Sequence, residues 1–133
     1  MRTLLAVCVL AWGTGLGPAA YAHHSMAGFD RFKTVTLEGT VIRFKWANPH
    51  SWIELEVPSG KGGVDVWNIE MTSPGVLIRA GWKSTTLKPG DKVSIAAHPL
   101  MTGEPGGIFV SVTLANGQTM TDKAAPAPTP ANP

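Results

Sequence analysis

Residues Thr34–Trp46 have the sequence TVTLEGTVIRFKW, which predicts one long strand. The apolar residues of this strand fall into two sets of opposite parity: Val35, Leu37 and Val41, then Ile42, Phe44 and Trp46. Because side chains alternate between the two faces of a strand, the change of parity predicts a bend between the sets. Gly39 lies just before the change, and a glycine within a strand commonly marks a bulge or a bend. The fold therefore begins with a long, kinked strand.

Four further strands are predicted from alternating apolar residues, at Trp52–Val57, Val64–Met71, Lys92–His98 and Ile108–Leu114. Ser73 and Pro74 are typical of a helix start and Gly81 of a helix end, so a short helix over Pro74–Ala80 separates strands three and four. Asn116-Gly117 predicts a hairpin after the fifth strand. This order is that of the OB-fold, an all-β, five-stranded Greek-key barrel. An open β-sandwich is the competing interpretation.

The first 22 residues have the three parts of a signal peptide. Arg2 supplies the positive start, Thr3–Leu16 the apolar stretch, and Ala20–Ala22 the small-residue cleavage site. The apolar stretch is shorter than the roughly 20 residues that a membrane span requires. We therefore expect cleavage after Ala22, a periplasmic or secreted bacterial protein, and no transmembrane segment in the mature chain. Cleavage would remove Cys8, the only cysteine, and with it all thiol chemistry.

The rest of the chain has room for one small domain. We expect an extended N-terminal segment over 23–33, an OB-like barrel over 34–121 and a disordered, Ala- and Pro-rich tail over 122–133. About 100 residues exclude a two-domain enzyme and a TIM barrel. The formal charge is +2, from 11 basic and 9 acidic residues with no basic run. A nucleic-acid partner is therefore not expected.

Several short runs together resemble a bacterial exported family known as domain of unknown function 6152. These runs are His23-His24-Ser25, Val35–Val41, Trp46–Trp52, Trp67–Glu70, Ser73-Pro74, Arg79–Trp82 and Leu87–Asp91. The likeness extends from about His23 to Leu114. It implies a small exported β-barrel and no assigned activity. Met26 and the pair Met71-Thr72 depart from the family pattern, which has a larger apolar residue at the first position and a smaller, glycine-rich pair at the second.

The histidines are the best candidates for a functional site. No hydrolase, zinc-protease, phosphate-loop or dinucleotide motif is present, so a non-enzymatic module that binds a small ligand is the leading hypothesis. In an OB barrel the loops between strands one and two and between strands four and five lie close together and bind ligands. The predicted ligand-binding residues in or beside these loops are Asn48, His50, Trp52 and His98. The alternative for His50 is a hydrogen bond within its turn, and for His98 an ordinary strand end.

A second hypothesis is a copper or zinc protein. Cleavage after Ala22 would make His23 the first residue, and a terminal amine beside an imidazole is a chelating pair that suits copper or zinc. The predicted metal ligands are His23 and His24 with His50, His98 or both. A third hypothesis is an accessory subunit that docks on an exported protein partner, such as an enzyme, through its tryptophans.

Overall fold

The computed structural model describes residues 28–123. The described chain forms six strands and one helix: β1 Val35–Lys45, β2 Trp52–Pro58, β3 Val64–Glu70, α1 Pro74–Arg79, β4 Lys92–Pro99, β5 Gly106–Thr113 and β6 Thr119–Thr121. The expected signal peptide, His23, His24 and residues 124–133 of the expected tail lie outside the described residues. Residues 28–33 run beside the β4–β5 loop, where Phe29 forms an isolated antiparallel bridge with Leu100.

The strands form one sheet in the order β3-β2-β1-β4-β5-β6, and an additional parallel pairing of β3 with β5 closes it. Strands β1 to β5 therefore make a closed barrel, with α1 between β3 and β4, as the OB topology requires. The prediction of a small all-β barrel with one short helix is confirmed. The open sandwich is not the architecture of this chain, because β3 and β5 pair directly. Strand β6 extends the sheet beyond the barrel as a short hairpin partner of β5.

The bend in β1 lets this strand pair with two neighbouring strands. Its first half pairs with β4, from Val35 opposite Ala97, and its second half pairs with β2, up to Lys45 opposite Trp52. The β1–β2 register shifts between Val41 and Arg43, which is the β-bulge that the change of parity predicted. Gly39 lies where the two halves meet, and a Cβ atom there would lie 2.5 Å from the backbone oxygen of Glu56. Only glycine permits this close approach.

The barrel interior is filled by the inward-facing residues of all five strands and capped by the segment after β3. The buried hydrophobic residues are Leu37, Val41, Ile53, Leu55, Ile69, Met71, Leu77, Trp82, Leu87, Val93, Ile95, Ala97, Phe109 and Val112. The Trp82 ring lies 5.9 Å from that of Phe44 and 5.6 Å from that of Phe109. Its Nε1–H donates a hydrogen bond of 2.8 Å to the Thr121 backbone oxygen. The indole therefore joins the barrel end to β6.

Helix α1 starts and stops close to the predicted residues. Pro74 occupies the first turn and Ser73 the N-cap position, but the Ser73 side chain makes no capping hydrogen bond. The Ser73 backbone oxygen instead accepts from the N–H groups of Val76 and Leu77. Gly81, with φ of 88°, ends the helix in the left-handed region. Across residues 28–123, no helix is both long and apolar enough to cross a membrane.

Candidate functional site at the His50–Glu70 pair

The start of β2 and the end of β3 are held together beyond the last paired residues of the two strands. The Ser51 N–H donates a hydrogen bond of 3.1 Å to the Thr72 backbone oxygen, and the Met71 N–H donates one of 2.9 Å to the Ser51 backbone oxygen. The turn before Ser51 contains a cis peptide bond between Asn48 and Pro49. These contacts fix the backbone of His50 opposite the end of β3.

His50 and Glu70 form a hydrogen bond through Nδ1 and Oε1. The His50 side chain is 34% exposed and that of Glu70 only 14%. A carboxylate accepts hydrogen bonds, so Nδ1 is the donor in this contact. Glu70 is not among the site residues predicted from the sequence, and the structure makes it the partner of His50.

Two hydroxyl groups beside this pair are buried. Ser51 is fully buried, and neither its Oγ nor the Oγ1 of Thr72 has a hydrogen-bond partner among residues 28–123. A buried hydroxyl without a partner loses its hydration without compensation, at a cost of about 1–3 kcal/mol. Native proteins carry few such groups, and they concentrate where a water, an ion or a function accounts for them. The sequence offered no signal for either hydroxyl.

Barrel closure aligns residues from four strands on the outside of the sheet. Trp52 pairs with Glu70, Glu70 with Ile108, and Ile108 with His98. Directly paired residues face the same side, and the neighbours of this set on the inner side are buried. We call the set Trp52, Glu70, Ile108 and His98 the outer row. His50 lies at one end of it, against Glu70.

His98 lies at the opposite end of the outer row from His50. Two strand spacings separate it from Glu70, so their Cα atoms are roughly 10 Å apart. The Nδ1–H of His98 donates a hydrogen bond of 2.8 Å to the backbone oxygen of Lys33. The structure thus places His50 and Trp52 together at the start of β2 and His98 on the same face but farther along the row. Asn48 is exposed in the turn before His50.

The β1–β2 loop and the β4–β5 loop, which were predicted to lie close together, both contact the end of β3. The Asn68 N–H donates a hydrogen bond of 3.4 Å to the backbone oxygen of Pro105, in the β4–β5 loop. Two residues farther along β3, Glu70 contacts His50 in the β1–β2 loop. The end of β3 therefore lies between the two loops. The ligand-binding roles of Asn48, His50, Trp52 and His98 stay predictions.

The described residues alone do not assemble a metal centre. Within residues 28–123, no group of three or more His, Cys, Asp or Glu side chains is arranged to hold a metal ion. Of the four predicted metal ligands, His50 and His98 are described, whereas His23 and His24 are not. The roles of these four histidines as metal ligands stay predictions.

Two surface cavities lie away from the His50–Glu70 pair. One, of about 460 Å³, is lined by Glu38, Thr40, Lys92 and Ser94 among others. Another, of about 270 Å³, lies under the β4–β5 loop and includes Trp67, Met101 and Glu104. Neither is lined by Asn48, His50, Trp52 or His98.

A family model described as a family of unknown function, DUF6152, matches residues 13–110. The chain belongs to this family. The resemblance drawn from the short sequence runs is confirmed. The DUF6152 match spans His50, Glu70 and His98, so the whole outer row lies within it. Two of the runs that carry the likeness, Trp46–Trp52 and Trp67–Glu70, are the ones that the His50–Glu70 pair joins. No curated protein and no solved structure matches this DUF6152 chain.

Proposed function

We propose that this protein is an exported, non-enzymatic binding module whose ligand site is the outer row with His50 at its end. The observation that carries the proposal is the parallel pairing of β3 with β5, which puts Glu70 beside Ile108 and so extends the row to His98. Export is supported by the signal-peptide pattern of the first 22 residues.

The chemistry of this face suits a small ligand with an apolar surface and a polar edge. Trp52 is half-buried and supplies a broad, rigid surface on which a ring can stack. The imidazole of His50, fixed by Glu70, supplies a polar group whose direction is set before the ligand arrives. A binding group that is already oriented loses less conformational entropy when the ligand binds.

The test is an NMR titration of the mature chain with glucose, benzoate, nicotinamide and Zn²⁺ as probes. We expect at least one probe to shift the backbone amide signals of Trp52, Glu70 and Ile108 more than those elsewhere. The substitution Trp52→Ala should reduce the shifts caused by an organic probe, and Val66→Ala, at an exposed position on the outer face of β3, should not. Shifts centred on Glu38 and Lys92, or no shift with any probe, would overturn the proposal.

A second candidate is a copper or zinc protein that uses the mature N-terminus. The observation that favours it is shared by both described histidines: the Nδ1 atoms of His50 and His98 each face an oxygen acceptor. Metal-binding imidazoles are typically anchored through one ring nitrogen in this way while the other binds the ion.

A further inference from the structure

We infer that this chain associates with a second copy of itself, and that the Phe32 ring of each copy enters the cavity under the β4–β5 loop of the other. No residue of the outer row lines that cavity. The inference therefore goes beyond the proposed function and does not depend on it.

Phe32 lies at the tip of a β-turn and is fully exposed. Within the turn, the Lys33 N–H donates a hydrogen bond of 3.2 Å to the Asp30 backbone oxygen. The Asp30 carboxylate accepts another of 3.2 Å from the Phe32 N–H, as aspartate commonly does at this turn position. The Asp30 N–H donates 2.9 Å to the Pro99 oxygen and His98 Nδ1–H donates 2.8 Å to the Lys33 oxygen, which ties the turn to β4. The turn therefore holds an aromatic ring outward in a fixed place.

The cavity under the β4–β5 loop has the size and the lining for such a ring. Its volume is about 270 Å³, and its apolar walls include Trp67, Leu100 and Met101. An apolar cavity of about 150 Å³ is large enough for benzene. Trp67 can pack against an aromatic ring and the Met101 thioether against the edge of one. The cavity therefore suits an aromatic side chain.

The exposed ring and the cavity lie side by side on the molecule. Asp30 and Lys33, the two ends of the turn that carries Phe32, both line the cavity. Phe32 does not fill the cavity of its own chain, because its side chain is fully exposed. A two-fold axis between a projecting group and a neighbouring hole brings each group to the hole of the other copy. The arrangement therefore fits a closed dimer with two identical contacts.

The charges around the ring and the cavity are complementary. The cavity is lined by the carboxylates of Asp30 and Glu104 and by the ammonium of Lys33, so carboxylates are in excess. Arg31 directly precedes Phe32 and is exposed. When Phe32 enters the cavity of the other copy, Arg31 reaches its rim and faces Glu104. A charge pair at the rim of an interface sets the orientation of the partners more than it adds affinity.

The expected contact is small, so association is weak. Stable interfaces bury about 1,200–2,000 Å², and an aromatic side chain buries about 150–250 Å². Two Phe32 rings supply less than half of that area. We therefore expect a dissociation constant on the order of 0.1 mM, so that the dimer is populated in concentrated solutions.

The test is sedimentation velocity of the mature chain from about 10 µM to about 1 mM, on either side of the expected constant. We expect the wild-type protein to change from monomer to dimer across this range. Phe32→Ala should weaken association at least tenfold, as the removal of an aromatic anchor does. The matched control is Ile78→Ala, at an exposed apolar position on α1, which should leave the constant unchanged. Both positions are exposed, so neither substitution should disturb folding.

A charge exchange tests how the two copies are paired. Arg31→Glu and Glu104→Arg should each weaken association, because like charges then meet at the rim of the cavity. The chain that carries both substitutions should regain most of the wild-type affinity. A mixture of isotope-labelled and unlabelled copies should also give a nuclear Overhauser contact between the Phe32 ring of one copy and the Met101 methyl group of the other.

A protein that stays monomeric at about 1 mM would overturn the inference, as would equal constants for Phe32→Ala and Ile78→Ala. A dimer without the Phe32–Met101 contact, or without recovery in the doubly substituted chain, would place association on another surface and would also overturn it. A monomer that binds vesicles of anionic phospholipid through Phe32 would assign the ring to a membrane instead, against the inference.

Discussion

Glu70 and Ile108 are paired in register across the one parallel contact between described strands, the β3–β5 contact that closes the barrel. The pairing continues to His98 on β4, so side chains far apart in sequence share one outer face. Glu70 lies in this row between Trp52 and Ile108, and its carboxylate contacts His50 in the β1–β2 loop. The closure of the fold and the candidate site therefore depend on the same short stretch of β3.

The His50–Glu70 pair should be energetically coupled. In a double-mutant cycle of His50→Ala and Glu70→Ala, we expect a coupling energy of about 0.5–3 kcal/mol, because the carboxylate is mostly buried. Urea unfolding of the four proteins measures it. The exposed Arg43–Glu54 pair is the control and should show about 0.2–1 kcal/mol. Additive effects at His50 and Glu70 would show that the pair does not stabilise the fold.

Gly39 should not tolerate even one added carbon. A Cβ atom at this position would lie 2.5 Å from the Glu56 backbone oxygen and 2.7 Å from the Leu55 Cγ. We expect Gly39→Ala to lower the free energy of unfolding by about 1–3 kcal/mol, as overpacking does. Gly60→Ala is the control, since nothing lies within 4 Å of a Cβ there. Equal midpoints of urea unfolding for the two variants would contradict the close approach.

Trp82 should contribute to stability through both its ring and its N–H group. Trp82→Phe keeps the aromatic contacts but removes the hydrogen bond of 2.8 Å to the Thr121 oxygen. We expect the free energy of unfolding to fall by about 1–3 kcal/mol, measured in guanidinium chloride. Trp52→Phe, on the outer row, should cost about 0.5 kcal/mol or less. A larger loss at Trp52 than at Trp82 would reverse the assignment of core and surface.

Ser51 should be replaceable by alanine without loss of stability. Its buried Oγ has no hydrogen-bond partner within the described part of the chain, so Ser51→Ala removes a desolvation cost and should leave stability unchanged or raised. Ser94→Ala is the comparison, because the Ser94 Oγ donates a hydrogen bond of 2.6 Å to Glu38. We expect Ser94→Ala to have a lower midpoint temperature of thermal unfolding than Ser51→Ala. The opposite order would show that the Ser51 hydroxyl stabilises the fold.

Asp122 should make stability depend on pH. Desolvation by burial raises the pKa of Asp122 above its usual 3.8, although a backbone hydrogen bond and Lys123 oppose the shift. The folded state therefore binds this proton more tightly than the unfolded state, and the stability from Asp122 falls as the pH rises from about 3.8 through the raised pKa.

Asp122→Asn should remove that decrease, which urea unfolding at a series of pH values above 3.8 would measure. Asp65→Asn, at an exposed position in β3, is the matched control and should retain the decrease. If the wild-type and Asp122→Asn proteins keep the same pH profile, Asp122 does not carry the effect.

Local patterns in the sequence predict the strands because the alternation of apolar and polar residues lies within each strand. Ile53 and Leu55 are buried as their alternation required, and β2 begins at Trp52 as predicted. The bend in β1 follows from the change of parity near Gly39. The register shift falls between Val41 and Arg43, after Gly39, and it occurs in the pairing of β1 with β2.

The candidate site was only partly predictable because it depends on pairings between distant segments. His50 and Trp52 were found from their place around a turn, which is local information. Glu70 was not among the predicted site residues. It joins the site because the β2–β3 register sets it opposite Trp52 and within reach of His50. No local pattern encodes that register, and none encodes a buried hydroxyl without a partner.

Strand β5 pairs with β4 on one side and with β3 and then β6 on the other. Until its residues are available, β3 and β4 keep open edges and β6 has no strand to join. Loops between distant segments must close before these contacts form, which slows folding. The barrel therefore closes only when β5 is in place, and a fragment that ends at Pro105 would leave the edges of β3 and β4 open to association with other chains.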